Sequence, residues 1–123
     1  MAITISTQAT GVTRRVLKDT SVAATVVYNV TGAPGSVYLI SADNTGNAYV
    51  VYLKFFDAVS GVTLGTTAPE YVFAIDASAQ RQFLMTGGTP FSSGISYACV
   101  RTNGGTPGTT PPGAPITIRL VTS

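Results

Sequence analysis

Few side chains in this sequence could take part in acid–base chemistry. None of the 123 residues is a histidine, and histidine is the commonest general base and the centre of the usual serine and cysteine triads. Glycoside hydrolysis would need two carboxylates that converge across a cleft. Asp43 lies in an expected turn, Asp57 is expected to cap its own turn, and Glu70 and Asp76 flank a short strand. We therefore predict that the protein is not an enzyme, although it has five carboxylates: Asp19, Asp43, Asp57, Glu70 and Asp76.

The remaining reactive or metal-binding residue types also favour structural roles. Cys99 lies alone in a strand-like context, which predicts a buried and inert thiol. Asp43, Asn44 and Asn47 are close together but lack the regular spacing of a calcium loop, so they are interpreted as a turn. The glycine-rich segment 104–113 contains no lysine and opens no helix, unlike a phosphate-binding loop. The sequence predicts no cofactor and no metal.

Tyrosines form the largest set of polar aromatic side chains. Tyrosine can stack on sugar rings, but it is also common in sandwich cores and at protein interfaces. Because tryptophan is absent and charged partners are few, packing is favoured over ligand recognition. A carbohydrate-binding module for host attachment is kept as an alternative, in which some of these side chains would be stacking platforms: Tyr28, Tyr38, Tyr49, Tyr52, Tyr71 and Tyr97.

These residues are carried by short apolar runs rich in β-branched and aromatic residues, separated by Gly, Pro, Asn and Ser clusters. That pattern is typical of strands and turns, and no helix of useful length is expected. The sequence predicts an all-β fold in one domain, residues 1–123, as a single β-sandwich or jelly roll of about eight strands. The expected strands are Ile3–Ser6, Val22–Thr31, Ser36–Ala42, Ala48–Asp57, Tyr71–Ile75, Gln82–Met85, Gly94–Arg101 and Ala114–Thr122.

The fourth expected strand indicates how the core is built, because successive side chains of a strand point to opposite faces. One face carries Tyr49, Val51, Leu53 and Phe55, and the other carries Val50, Tyr52, Lys54 and Phe56. The second set is apolar apart from its lysine, which predicts that both faces are covered. Two further inward rows are expected at Ile116, Ile118 and Leu120 and at Ile95, Tyr97 and Cys99.

Four segments are expected to lie outside the regular strands. Residues 43–47 should form a hairpin between the third and fourth expected strands. Gly87–Pro90 should be a second break. Residues 1–18 are either the first strand of the sandwich or an N-terminal arm that reaches a neighbour. The Gly/Pro/Thr-rich loop 102–115 is expected either to project and contact a neighbouring subunit or to be disordered.

The chain has few charged residues for a soluble monomeric protein. Charged residues make up 10% of it, against roughly 25% in typical soluble chains. We expect part of its surface to be hidden in a homo-oligomer; the other interpretation is a monomer covered by Ser, Thr and Gly. The net charge of +2 does not indicate specific nucleic-acid binding. The apolar stretch Ala48–Leu53 is too short to span a bilayer, and no secretory signal is evident, so synthesis in a cytoplasm is expected.

Only one group of basic residues is clustered, at Arg14, Arg15 and Lys18. It is interpreted either as a solvated turn or arm or as an anchor on an acidic protein surface. Loop position and the doubly apolar strand add further candidates for contact with partners. The complete set of interface candidates is Arg14, Arg15, Lys18, Tyr52, Phe56, Thr106, Thr109 and Pro111.

Several strings resemble a recurring pattern in small virion proteins of tailed bacteriophages, over roughly residues 37–121. In such proteins a YLKFY strand is followed by a GTxxP turn, a small apolar strand and a PFxxGL segment. Phe56 and Ile95 stand where that pattern has Tyr and Leu. The strings here are Tyr52–Asp57 (YLKFFD), Gly65–Pro69 (GTTAP), Val72–Phe73 and Pro90–Ala98 (PFSSGISYA).

The resemblance implies a capsid decoration (cement) protein. Proteins of this kind are small β-sandwiches, usually trimers, that sit on the capsid exterior and bridge neighbouring major capsid subunits. It also implies synthesis in the cytoplasm of a bacterial host followed by incorporation into the virion. A tail, neck or baseplate component of the same fold is the alternative within the resemblance.

Overall fold

A computed structural model describes residues 3–7, 14–101 and 105–123 of the chain. These residues form eight strands in two antiparallel sheets, which confirms the predicted all-β sandwich. Within those ranges there is no helix, and so none long and apolar enough to cross a membrane. The strands are β1 (Ile3–Thr7), β2 (Arg15–Val22), β3 (Gly35–Asp43), β4 (Val51–Asp57), β5 (Tyr71–Ile75), β6 (Gln80–Phe91), β7 (Ile95–Val100) and β8 (Ile116–Thr122).

The two sheets enclose one apolar core. The larger has five strands in the order β1-β2-β8-β3-β6, and the smaller has three in the order β5-β4-β7. Because side chains alternate along each strand, one face of every central strand reaches this core. The two predicted inward rows are confirmed, since all of these side chains are buried: Ile95, Tyr97, Cys99, Ile116, Ile118 and Leu120.

Aromatic rings join the two sheets near one side of the sandwich. The ring of Phe55 on β4 lies 5.8 Å from that of Phe73 on β5 and 6.0 Å from that of Phe91 on β6. Phe73 in turn lies 4.8 Å from Phe83 on β6. Such pairs contribute about 0.5–1.5 kcal/mol each beyond the burial of their area. They place β5 and β6, one edge strand from each sheet, side by side.

The predicted strand Val22–Thr31 is wrong. The strand in this region is β2, which ends at Val22, and residues 23–30 run irregularly along the outer edge of β7. Val27 and Tyr97 exchange backbone hydrogen bonds of 2.9 and 3.0 Å. The apolar run mimics a strand, but Asn29 adopts a φ of 46°, which a continuous strand does not allow. The segment therefore covers the edge of β7 instead of entering a sheet.

The predicted hairpin at residues 43–47 is also wrong, because β3 and β4 lie in different sheets. The connection is a corner from one sheet to the other. The Asn44 side chain is buried and donates to the carbonyl oxygens of Tyr49 (2.9 Å) and Asp76 (3.0 Å). These bonds tie the corner to the connection that follows β5, which the spacing of turn residues does not reveal.

The glycines expected to break the chain at residues 87–90 lie inside β6. Gly87 and Gly88 have φ values of 83° and 84°, a region that glycine adopts without strain. They form a bulge where the register between β3 and β6 shifts. At the other end of the chain, Ile3–Thr7 is the first strand of the large sheet and pairs with β2.

Candidate functional site

The groups with potential for chemistry are spread over the sandwich. Residues 3–7, 14–101 and 105–123 line no pocket and contain no group of three or more His, Cys, Asp or Glu side chains that could hold a metal. The four aspartates, the thiol and the buried lysine each have a local environment that accounts for their position. The candidate functional regions are therefore surfaces rather than a cleft.

Asp57 holds the turn between β6 and β7. Its carboxylate accepts hydrogen bonds from the backbone N–H groups of Ser92 (3.1 Å), Ser93 (2.7 Å) and Gly94 (3.3 Å). The Ser93 bond is the main cause that lowers the pKa of this carboxyl below its usual value. The expectation that Asp57 caps its own turn is wrong, because it caps a turn 35 residues further along the chain.

Asp19 is buried on the inward face of β2. Its carboxylate accepts hydrogen bonds from the Tyr97 hydroxyl (2.8 Å) and from the backbone N–H of Ser21 (2.9 Å). Burial, followed by this bond to Asp19, raises the pKa of Tyr97 above its usual range. The sequence assigned no role to Asp19. Its burial could have been predicted from its position two residues after Leu17, because both side chains then lie on the same face of a strand.

The Cys99 thiol is buried as predicted. Burial raises its pKa to about 12. A thiolate is the reactive form of cysteine, so this environment disfavours nucleophilic or redox chemistry at neutral pH.

Lys54 is the most unusual buried group, because its side chain is fully covered and lies on the outer face of β4. Its Nζ donates to the carbonyl oxygens of Gly105 (2.6 Å) and Gly108 (3.1 Å). Burial lowers the pKa of this ammonium group. The prediction that both faces of this strand are covered is confirmed, and the cover over Lys54 is part of the long loop.

The described part of that loop, residues 105–115, folds back onto its own chain, so the expectation that it projects or is disordered is wrong for these residues. The backbone N–H of Arg101 donates to the Thr110 carbonyl (2.7 Å). The Asn47 side chain forms two bonds of 2.9 Å with the backbone N–H and C=O of Ala114. The rest of the predicted loop, residues 102–104, lies outside the described residues.

The interface candidates of the outer β4 face and the loop differ in accessibility. Phe56 is only 2% exposed, so its selection as a contact residue is wrong: its own chain covers it. Tyr52 and Thr106 are half-buried, while Thr109 and Pro111 are exposed. Contact between these four residues and a partner stays a prediction.

The basic candidates are ordered by contacts with neighbouring strands and loops. The Arg14 guanidinium lies 3.7 Å above the centre of the Tyr38 ring. Arg15 donates to the Thr31 carbonyl at 3.0 Å. Lys18 is half-buried on the outward face of β2, opposite Arg119 of β8. The structure therefore places Arg14 and Lys18 over the outer face of the large sheet.

The tyrosines are largely engaged within the chain. Tyr97 is fully buried, and Arg101 lies 3.9 Å above the ring of Tyr49. The Tyr28 hydroxyl donates to the Val62 carbonyl at 2.9 Å. The ring of Tyr71 packs against Phe91 with centroids 5.8 Å apart. These contacts are typical of tyrosine side chains that pack within their own chain.

One side of the sandwich presents two edge strands, which we call the open edge (β5 and β6). Among the described strands, β5 pairs only with β4, and β6 pairs only with β3. β5 contains no charged residue and exposes Tyr71 and Val72 by 36% and 38%. Natural proteins usually protect such edges with charges, because unpaired backbone groups invite another strand. The open edge is therefore a candidate assembly surface.

Comparison of the chain with protein-family models, with curated proteins and with solved structures finds no match.

Proposed function

We propose that the protein is a structural component of a tailed-phage virion, specifically a capsid decoration protein that bridges major capsid subunits. The observation that carries the proposal is the uncharged edge strand β5 of a chain with only 10% charged residues. A sandwich of this kind is best stabilised when other subunits cover part of its surface. Work as a cement protein requires such contacts and no catalytic group.

The open edge fits contact with further copies of the chain. On β5 the exposed Tyr71 and Val72 lie beside unpaired backbone donors and acceptors. On β6 the one charged residue, Arg81, is paired with Asp76 at 2.6 Å. Strand addition or side-chain packing across this edge would bury apolar area and satisfy backbone groups together. This edge supports a homo-oligomer, which in the proposed role is a trimer.

The strings that resemble phage virion proteins form one local unit. Tyr52–Asp57 is essentially β4, and Pro90–Ala98 contains the turn that leads into β7. The Asp57 carboxylate joins the two through its bonds to Ser92, Ser93 and Gly94. The two strings are thus explained as the residues needed to pair β4 with β7 and to cap the turn before β7. They support a scaffold shared with the virion proteins that this sequence resembles.

The test is electron cryo-microscopy of particles from the producing phage, with and without the gene for this chain. We expect density for the chain on the outside of the head, repeated over the shell, and earlier loss of the genome on heating when the gene is deleted. Density confined to the tail, neck or baseplate would instead identify the alternative virion role. Absence of the chain from the purified particles would reject both.

A further inference from the structure

The outer face of the five-stranded sheet carries an apolar row that crosses four strands. Val16, Val121, Leu39 and Leu84 are direct neighbours in the register of β2, β8, β3 and β6. With strands about 4.8 Å apart, the row is roughly 14 Å long. Leu84 is 75% exposed, more than any other large apolar side chain of the described residues.

Basic side chains flank this row on both sides. The next outward row, about 7 Å along the strands, contains Lys18 and the exposed Arg119, which face each other across β2 and β8. On the opposite side, Arg14 is stacked on Tyr38. The stacking fixes a planar guanidinium, so less side-chain entropy is lost when it meets a carboxylate.

The acidic group at the margin of this face is engaged in local bonds. Asp43 accepts from the backbone N–H of Thr45 (2.9 Å) and from the Thr45 hydroxyl (2.6 Å). The side-chain hydrogen bond from Thr45 is the main cause that lowers the pKa of this carboxyl, and the charge of Arg119 contributes less. Among the described residues, the three cations around the apolar row therefore outnumber the one acid at the margin of the face.

We propose that this face, defined as the docking face (Arg14, Val16, Lys18, Leu39, Leu84, Arg119 and Val121), binds an acidic surface of another protein. The inference rests on the proposed function, in which that protein is the capsid shell. Charge complementarity selects the occupant, since a second copy would bring Lys18 and Arg119 against like charges. A nucleic acid would match the cations but not the apolar row between them. An apolar centre with a charged rim is the usual anatomy of a protein interface.

The test is cosedimentation of the purified chain with shells assembled from the major capsid protein of the same phage, at increasing salt. Binding by the wild type should weaken as salt rises, because the flanking charges are exposed. The variant Lys18→Gln/Arg119→Gln should bind about five- to ten-fold more weakly and with a flatter salt dependence. The matched control Arg101→Gln/Ser60→Asp lowers the net charge by the same two units at exposed positions elsewhere and should bind within about two-fold of wild type.

A second variant addresses the apolar row. Leu84→Ser should weaken binding about ten-fold while leaving the salt dependence unchanged, because it removes apolar area and no charge. Circular dichroism and thermal unfolding of each variant, expected to match the wild type, show that these changes act on binding.

The outcomes separate the two proposals. Wild-type binding that is unchanged by both Lys18→Gln/Arg119→Gln and Leu84→Ser would overturn the docking face and leave the virion role intact. An equal loss of shell binding in the two charge variants would also overturn the docking face, since the net charge of the chain alone would then explain its attraction to the shell. Binding to duplex DNA or to anionic lipid vesicles with the same residue dependence would assign the face to another class of partner. Failure of the wild type to bind any shell would reject the capsid decoration role and this inference together.

Discussion

Asn47 shows how single buried polar residues hold this sandwich together. Its side-chain amide donates to Asn44 Oδ1 (2.9 Å) and to the Ala114 carbonyl (2.9 Å). Its oxygen accepts from the Ala114 N–H (2.9 Å) and the Tyr49 hydroxyl (3.1 Å). Both donors and both lone pairs of the amide are thereby used. One residue thus connects the corner between the sheets with the end of the long loop.

Replacing Asn47 by Ala should lower the free energy of unfolding by about 2–4 kcal/mol. The change leaves several buried donors and acceptors without a hydrogen-bond partner. Each such group costs about 1–3 kcal/mol when water cannot replace the lost partner. Denaturant titration followed by circular dichroism measures the effect. Ser60→Ala, at an exposed loop position, is the control and should change stability by less than about 0.5 kcal/mol. Equal unfolding midpoints for the two variants would contradict the role assigned to Asn47.

Cys99 should make stability depend on alkaline pH. Burial raises its pKa from 9.0 to about 12, so the unfolded chain loses the thiol proton at lower pH than the folded chain. The corresponding stability is complete below pH 9.0 and is lost as the pH rises towards 12. The stability advantage of the wild type over Cys99→Ala should therefore shrink as the pH rises from about 9 to about 11.

The comparison of wild type and Cys99→Ala removes the contributions of other groups that titrate at alkaline pH. Lys54 and Tyr97 are present in both proteins, and their shifts act in opposite directions on stability. Urea titrations at each pH supply the two free energies of unfolding. A difference that stays constant across this range would show that the thiol ionises as readily in the folded chain as in the unfolded one.

At the scale of elements, the loop 105–115 acts as a third layer over part of the small sheet. It contributes the carbonyl oxygens that hold Lys54 and it packs against the connection between β4 and β5. A Cβ atom on Gly65 would lie 2.5 Å from Thr109 Cγ2. The close approach explains why a glycine suits this position, in addition to its φ of 92°. The loop therefore depends on a glycine more than forty residues before it in sequence.

Gly65→Ala should destabilise the fold more than Gly61→Ala, by about 1–3 kcal/mol. Both glycines have positive φ, 92° and 77°, so both variants have a left-handed alanine. Only at Gly65 does the new methyl group meet the loop, because nothing lies within 4 Å at Gly61. Thermal and denaturant unfolding of the two variants measure the difference.

A second substitution tests the contact directly. Thr109→Ser removes Cγ2, the atom closest to the added Cβ, and should restore most of the extra loss in Gly65→Ala while having little effect alone. No restoration in the double variant would mean that the loop does not pack on Gly65 in solution.

For the whole molecule, the distribution of charge matters more than its amount. Asp19 and Lys54, one acid and one base, are buried, which leaves the surface still poorer in charge than the composition indicates. On the open edge, β5 contains no charged residue and Arg81 of β6 is paired with Asp76, whereas the docking face carries cations around an apolar row. The two surfaces adjoin at β6, which carries Leu84 of the docking face, but they differ in composition. Two surfaces of different composition suit a subunit that contacts its own copies by one and a different protein by the other.

Self-association through the open edge should be visible in sedimentation velocity as a rise in mass with concentration. Val72→Lys places a charge on the exposed face of β5 and should shift the protein towards the monomer, because charged edge strands resist pairing. The control Ser60→Lys adds the same charge to the loop that follows β4. The Tyr28 hydroxyl donates to the Val62 carbonyl of this loop, so the loop lies beside the segment that covers β7. That control should associate like the wild type. A wild type that remains a monomer at high concentration would contradict the assembly role of this edge.

Sequence reasoning worked where the information is local and failed where distant segments meet. The alternation of Ile116, Ile118 and Leu120 follows from the two-residue period of a strand, so an inward row is predictable without knowing its partner. The hairpin at residues 43–47 failed because turn residues specify a change of direction but not the sheet that the chain enters next. The strand Val22–Thr31 failed because its apolar spacing is compatible with an irregular segment pinned to β7.

Composition and side-chain alternation are enough to predict an all-β protein with a layered core and little surface charge, because both are properties of the chain at every position. The burial of Phe56, the bonds that hold Lys54 to a loop some fifty residues away and the single row of Val16, Leu39, Leu84 and Val121 became known from the folded arrangement alone. These relations are set by strand order and register. Order and register depend on the total packing of the core and on buried bonds such as those of Asn44 and Asn47, which no local pattern encodes.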